Sequence, residues 1–255
     1  MSENKTTTDQ PQPLTSHLKE LRNRIIHVVL FLVLGFLICL HFAGNLVTLL
    51  TDMGSKYGYS YIYIAPQELM MVYITVALIG AVVIAFPCFA YEAYQFSKPG
   101  LTKRECSAFL TAVLFGSLCF VVGVLFSYFI SIPFMLYFLI SFTGEVAVTA
   151  RISIQEFITF ILTVMLIFGV IFEMPLISIV LSRLGILRPD WLIKARKPAI
   201  VLIFFIAAVI TPPDVVSQCI TAVPMCLLYE LSIYLSKLTY REREKDEDEE
   251  EDSEE

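Results

Sequence analysis

Charge is scarce in this chain: 16% of its 255 residues are charged and 57% are hydrophobic, and the mean hydropathy is +0.74. So few charges exclude an ordinary water-soluble domain of this length and point to an integral membrane protein. The six cysteines, Cys39, Cys88, Cys106, Cys119, Cys219 and Cys226, form no CxxC pair and no Cys/His cluster at ligand spacing. They read as small core hydrophobes, so no disulfide and no metal site is expected. Neither an HExxH cluster nor a nucleophile and base pair is evident, which argues against an intramembrane enzyme. Without a nucleotide-binding signature there is no reason to expect ATP hydrolysis or any other cofactor. A basic patch interleaved with aromatics is also missing, which argues against nucleic acid as a partner. The opening "MSENKTTTDQPQPLTS" is polar, punctuated by proline and contains an acid, unlike a signal or transit peptide. The chain is therefore expected to start near Met1 in the cytoplasm, with residues 1–15 flexible.

The formal charge of −6 reflects one segment, because Asp246 to Glu255 holds nine acids and no base and the remainder balances at +3. Such a run is expected to be solvated, so residues 238–255 are read as a disordered cytoplasmic tail.

What the chain has in abundance is apolar runs. Four can cross about 30 Å of hydrocarbon, over 25–42, 69–91, 108–140 and 157–181, with Pro133 placed to bend or end the third. Two shorter runs follow, 199–210 and 215–229, worth about 18 Å and about 22 Å of helix, the second interrupted by Pro224. They form either a re-entrant hairpin or a true pair that thins the membrane locally. Six crossings with an inside N-terminus put 16 of the 18 Lys and Arg on the inner side, leaving only Lys56 and Arg151 outside. The expected fold is all-α, a six-helix membrane domain over 16–237 whose last two helices are short. Tyr57, Tyr59, Tyr61 and Tyr63 read as an interfacial aromatic belt.

Some charges are not explained by topology. Glu20 stands four residues before Arg24 in "SHLKELRNR", the order that favours a helical ion pair. Glu105 follows Lys103 and Arg104 in "FSKPGLTKRE", where it can counter the positive end of a helix dipole. Both acids are expected at the same inner surface, where a carboxylate can take a guanidinium in a two-pronged bond, so together they suit a ligand carrying two arginines. Glu173, in "FGVIFEMP", lies within a span at a cost of about 2.5 to 3.5 kcal/mol or more for a charge, so it is protonated, paired or facing a wet cavity. Pro175 behind it frees a carbonyl and helps form a polar recess. Glu92 and Glu230 sit near inner ends of spans and are expected to reach interfacial water. In "ITPPDVVSQ" the prolines end one helix, Asp214 can cap the next, and Gln218 places an amide one turn deeper.

These four stretches, in this order and at these places in the spans, resemble the TatC family, the core subunit of the twin-arginine protein translocase. The resemblance runs over roughly residues 14–237. It implies a concave, glove-like protein with both ends in the cytoplasm of a bacterium, set in the inner membrane and working in homo- and hetero-oligomers. It implies that Glu20 and Glu105 receive the paired arginines of a folded substrate's signal peptide, with Arg22 beside the first acid and Phe96, Pro99 and Leu101 around the site. Glu173 matches a polar position on the concave face. Thr211, Asp214 and Gln218 match an outer hairpin near which single-span TatA- and TatB-type subunits dock. Transport is expected to run on the proton motive force. Two departures concern the outer rim: proline is delayed to Pro66, and "QELMMVYITVALIG" has no lysine. The alternative is a proton-coupled small-solute transporter using Glu173 as relay, but such folds show internal repeats, and no matching halves are found.

Overall fold

The computed structural model describes residues 14–98, 103–143, 151–211 and 214–254. In chain order these form α1 (Leu14–His41), α2 (Ala43–Ser55), β1 (Ser60–Ile62), α3 (Glu68–Ser97) and α4 (Lys103–Phe126). A π turn (Ser127–Ser131), α5 (Ile132–Thr143), β2 (Arg151–Ser153) and α6 (Ile154–Phe172) follow. The chain closes with α7 (Met174–Arg183), α8 (Pro189–Lys194), α9 (Arg196–Ile210) and α10 (Val215–Glu254). Among the described residues, five helical stretches are long and apolar enough to span a bilayer: Leu18–His41, Glu68–Ser97, Phe109–Ser141, Ile154–Arg183 and Val215–Arg241. The sixth, α9, has 15 residues, about 22 Å of helix.

Prolines shape the crossings without ending them. Ahead of Pro133 the Ile132 amide reaches back five residues to the Ser127 carbonyl. That wider turn absorbs the hydrogen bond a proline cannot make, so α4 and α5 continue as one span. In the fourth span the helix breaks at Glu173, and Pro175 sits in the first turn of α7, where its missing N–H costs nothing.

The main core joins α2, α3, α5 and α6 through Leu50, Val72, Ile132, Ile158, Ile161 and Phe168, all buried. A second cluster, with Ile203, Ala207, Ala222 and Met225, binds α9 to α10. Apolar residues on α1 such as Ile25, Ile26, Val29 and Leu37 stay exposed, the surface that acyl chains cover. Small residues let helices approach closely. At Gly123 a Cβ would stand 2.6 Å from the Phe168 carbonyl oxygen and 2.9 Å from Phe172 Cβ, so α4 meets the end of α6 nearly backbone to backbone.

Several expectations are corrected. The final helix is not short: α10 has 40 residues and passes Pro224 unbroken. Hydropathy fades after Tyr229, but packing does not. Ser232, Ile233 and Ser236 remain buried, Ser178 Oγ donates to the Ser232 carbonyl at 3.1 Å, and Ser182 and Ser236 share a hydroxyl bond of 2.6 Å. With α10 running the length of α7, and Ile210 at the far end of α9 packed on the main core, α9 and α10 are a true pair and not a re-entrant hairpin. The backbone is helical to Glu254; an established helix propagates readily through Glu, Lys and Arg.

The tyrosines are the other correction. The short α2 and a two-stranded parallel pair, with Ser60 opposite Arg151 and Ile62 opposite Ser153, cap the end of the bundle remote from the start of α1. The strands add a little β structure to an otherwise all-α chain, because the amides of these connections need partners. Inside this cap Tyr59 is buried, and Tyr61 packs at a tilt against Phe157 with ring centroids 4.8 Å apart while donating to the Thr51 carbonyl at 2.9 Å. Only Tyr63 is well exposed, at 62%. Burial holds the phenols of Tyr59 and Tyr61 above their ordinary range, Tyr61 at about 12.

Candidate functional site

The base of the bundle is the end where α1 begins, α3 finishes and α4 begins. There α1 and α3 run antiparallel, and between them lies an open recess of about 540 Å³. Its wall includes Lys19, Glu20, Asn23, Arg24, Tyr91 and Glu92. One turn of helix brings Glu20 under Arg24. Both the Nε and the Nη2 of Arg24 donate to Glu20 Oε1, the former at 3.1 Å. The remaining arm, Nη1, donates to Glu92 Oε2 at 3.1 Å, and His27 Nδ1 lies 3.2 Å from Glu92 Oε1. The Arg24 and Glu92 side chains are 20% and 15% exposed, so the pair is partly screened from water but open on one side. Chemically, the recess is a place where carboxylates hold a guanidinium.

Sequence reasoning missed Glu92 as a member of this cluster and assigned it to interfacial water. The residue is 68 positions from Arg24, and only the pairing of α1 with α3 brings them together. A signal was present: acids at inner span ends face bases at other inner span ends. The same rule explains Arg196, whose Nη2 donates to Glu230 Oε2 at 2.9 Å.

The other expected residues are placed as follows. Arg22 is exposed and outside the lining of the recess. Phe96 is half-buried near the end of α3. Pro99 and Leu101 lie outside the described residues, as does the side chain of Glu105, the third residue of α4. Glu173 is buried, at 8% exposure. Its Oε2 rests over Gly116 of α4, where a Cβ would come within 2.8 Å, and its Oε1 has no hydrogen-bond partner among the described residues. Beside it runs an apolar groove of about 710 Å³ between α4, α7 and α10, lined by Phe115, Cys119, Pro175, Leu176, Leu228 and Leu231 among others.

At the opposite end, Thr211 is extended, as a residue before proline should be, and its hydroxyl donates back to the Ala207 carbonyl at 2.9 Å. Asp214 Oδ1 accepts the Ser217 amide at 2.6 Å and so caps α10. Gln218 Nε2 donates to the Phe204 carbonyl at 2.9 Å, tying α10 to α9. Sequence placed these three together, and they meet as a hairpin; Pro212 and Pro213 lie outside the described residues. None of the described residues forms a cluster of three or more His, Cys, Asp or Glu able to hold a metal ion.

Six crossings, a concave glove-like bundle and one guanidinium-holding recess at its base define a polytopic membrane protein of the protein-translocation class. The family described as Sec-independent protein translocase protein (TatC) matches residues 16–224. The chain is 37% identical to the TatC protein of Aquifex aeolicus, over 91% of this chain and 98% of that one. It is 37% identical to the Helicobacter pylori J99 protein, over 89% and 90% of the two, and 33% identical to the Bacillus subtilis protein TatCy, over 91% of each. Among solved structures it resembles a crystal structure of the twin arginine translocase receptor TatC, with a TM-score of 0.79 and 36% identity, covering 88% of this chain and 99% of that one. A second crystal structure of that receptor, in DDM, matches with a TM-score of 0.80 and 35% identity over 86% and 99%. This chain belongs to the TatC family.

Proposed function

We propose that this chain is the receptor core of a twin-arginine translocase. In this reading Glu20, with Glu105, takes the paired arginines of a folded protein's signal peptide at the base recess, and Phe96, Pro99 and Leu101 surround the bound segment. Both chain ends lie in the cytoplasm, and the protein sits in the bacterial inner membrane. Single-span TatA- and TatB-type subunits dock near Thr211, Asp214 and Gln218, and the cargo crosses on the proton motive force.

The observation that carries the reading is the grip of Glu20 and Glu92 on the Arg24 guanidinium, because a wall that already holds one guanidinium has the chemistry to hold another. Charge-assisted bonds to carboxylates are the strong ones, and each is worth about 1.5 to 3 kcal/mol. Further support comes from the solved relatives described as twin arginine translocase receptors.

Glu20→Gln combined with Glu105→Gln is expected to cut crosslinking of a photoreactive twin-arginine peptide by about tenfold or more. Undiminished crosslinks would remove both acids from the site.

A further inference from the structure

Building on the receptor reading, we propose that Arg24 is a resident guanidinium occupying Glu20, and that arginine binding is an exchange in which Glu92 keeps Arg24 while Glu20 is released to the incoming peptide.

Three features of the cluster carry this. First, a fork-on-fork arginine–carboxylate pair needs both carboxylate oxygens, yet two Arg24 nitrogens converge on Glu20 Oε1. An incoming guanidinium can grip Glu20 in two-pronged fashion only if Arg24 lets go of that oxygen. Second, Arg24 has somewhere to go. Its Nη1 is already bonded to Glu92 Oε2, so the half-buried charge stays paired after Glu20 leaves. Third, both oxygens of Glu92 have neighbours within the protein, Oε2 accepting from Arg24 and Oε1 lying 3.2 Å from His27 Nδ1. Glu92 is thus a positioning residue for Arg24 and not itself a receiver. The helical pair Glu20–Arg24 alone would be an ordinary surface contact; the second carboxylate, from a different helix, turns it into a two-position switch.

The exchange has a definite signature in the affinity of the full-length protein in detergent for a fluorescent twin-arginine peptide, read by anisotropy. Arg24→Met frees Glu20 and tightens binding about threefold, the size of a part-exposed ion pair. Arg24→Lys, which keeps the charge but loses the fork, tightens it by about twofold. Glu92→Gln leaves Arg24 leaning on Glu20 and weakens binding about threefold, and this effect vanishes in the Arg24→Met background. Lys19→Met removes a recess cation that does not bond Glu20 and is expected to change affinity less than Arg24→Met does.

Unchanged or weaker binding in both Arg24 variants overturns the exchange. So does a Glu92→Gln loss that persists without Arg24, which would make Glu92 a direct receiver, or a Lys19→Met gain equal to that of Arg24→Met, which would reduce the effect to net charge. Glu20→Gln separates the exchange from the receptor reading: if it leaves binding intact the receptor reading fails, whereas if it abolishes binding while the Arg24 variants do nothing, only the exchange fails.

Discussion

Gly123→Ala tests whether backbone contact between α4 and α6 sets the geometry that buries Glu173. Gly116 and Gly123 are seven residues apart, two turns of one helix face. The first faces the Glu173 carboxylate and Leu176, the second the Phe168 carbonyl and Phe172 Cβ. A new Cβ at Gly123 would meet that carbonyl at 2.6 Å, about 1 Å inside a comfortable contact. Because the obstacle is backbone, no rotamer change relieves it and the helices must part. Overpacking costs about 1–3 kcal/mol, and the better helix propensity of alanine returns about 1 kcal/mol. With so unyielding a contact the net is expected near the upper side, about 1–2 kcal/mol. For a chain of this size that lowers Tm by about 2–8 °C, measurable by circular dichroism in detergent. Gly44→Ala is the control, since nothing lies within 4 Å of its Cβ position, and its Tm is expected to hold or rise. Should Gly123→Ala melt at or above the parent temperature, the close approach of α4 and α6 does not hold the bundle together, and the account of how Glu173 is seated falls with it.

Two other outcomes follow from the ends of the bundle. Inserting four leucines into α9, raising its length from about 22 Å to about 28 Å, removes the hydrophobic mismatch. Export of a folded reporter in cells is expected to fall while twin-arginine peptide binding by the purified protein stays intact; normal export would contradict membrane thinning by α9. In the cap, burial raises the Tyr61 phenol from its ordinary value near 10 to about 12, so the neutral form is favoured by folding. The stability it contributes is complete below about pH 10 and is lost as pH rises through about 12. Tyr61→Phe is expected to flatten the alkaline decline of Tm across that window, and an unchanged decline would place the sensitivity elsewhere.

Hydrophobic thickness is a one-dimensional property, so the four long crossings and the short α9 were legible in the order of apolar residues. Contacts within a turn or two of helix were legible for the same reason: Glu20 under Arg24, and Asp214 capping α10. Burial in the cap was not. Tyr57, Tyr59, Tyr61 and Tyr63 carry one residue type through one short stretch, and whether a phenol meets lipid, water or Phe157 depends on where α2 and the strand pair fold. The length of α10 was hidden too, since Ser232 and Ser236 read as the end of an apolar run until α7 supplies Ser178 and Ser182 as partners.

The sequence alone determined the four long apolar crossings, the short α9 and the one-turn pairing of Glu20 with Arg24, because burial cost and helical periodicity act on neighbours along the chain. Only the tertiary structure decided that Glu92 shares Arg24 with Glu20 and that Glu173 lies over Gly116. These are meetings between separate helices, and they arise from how close small residues let those helices come.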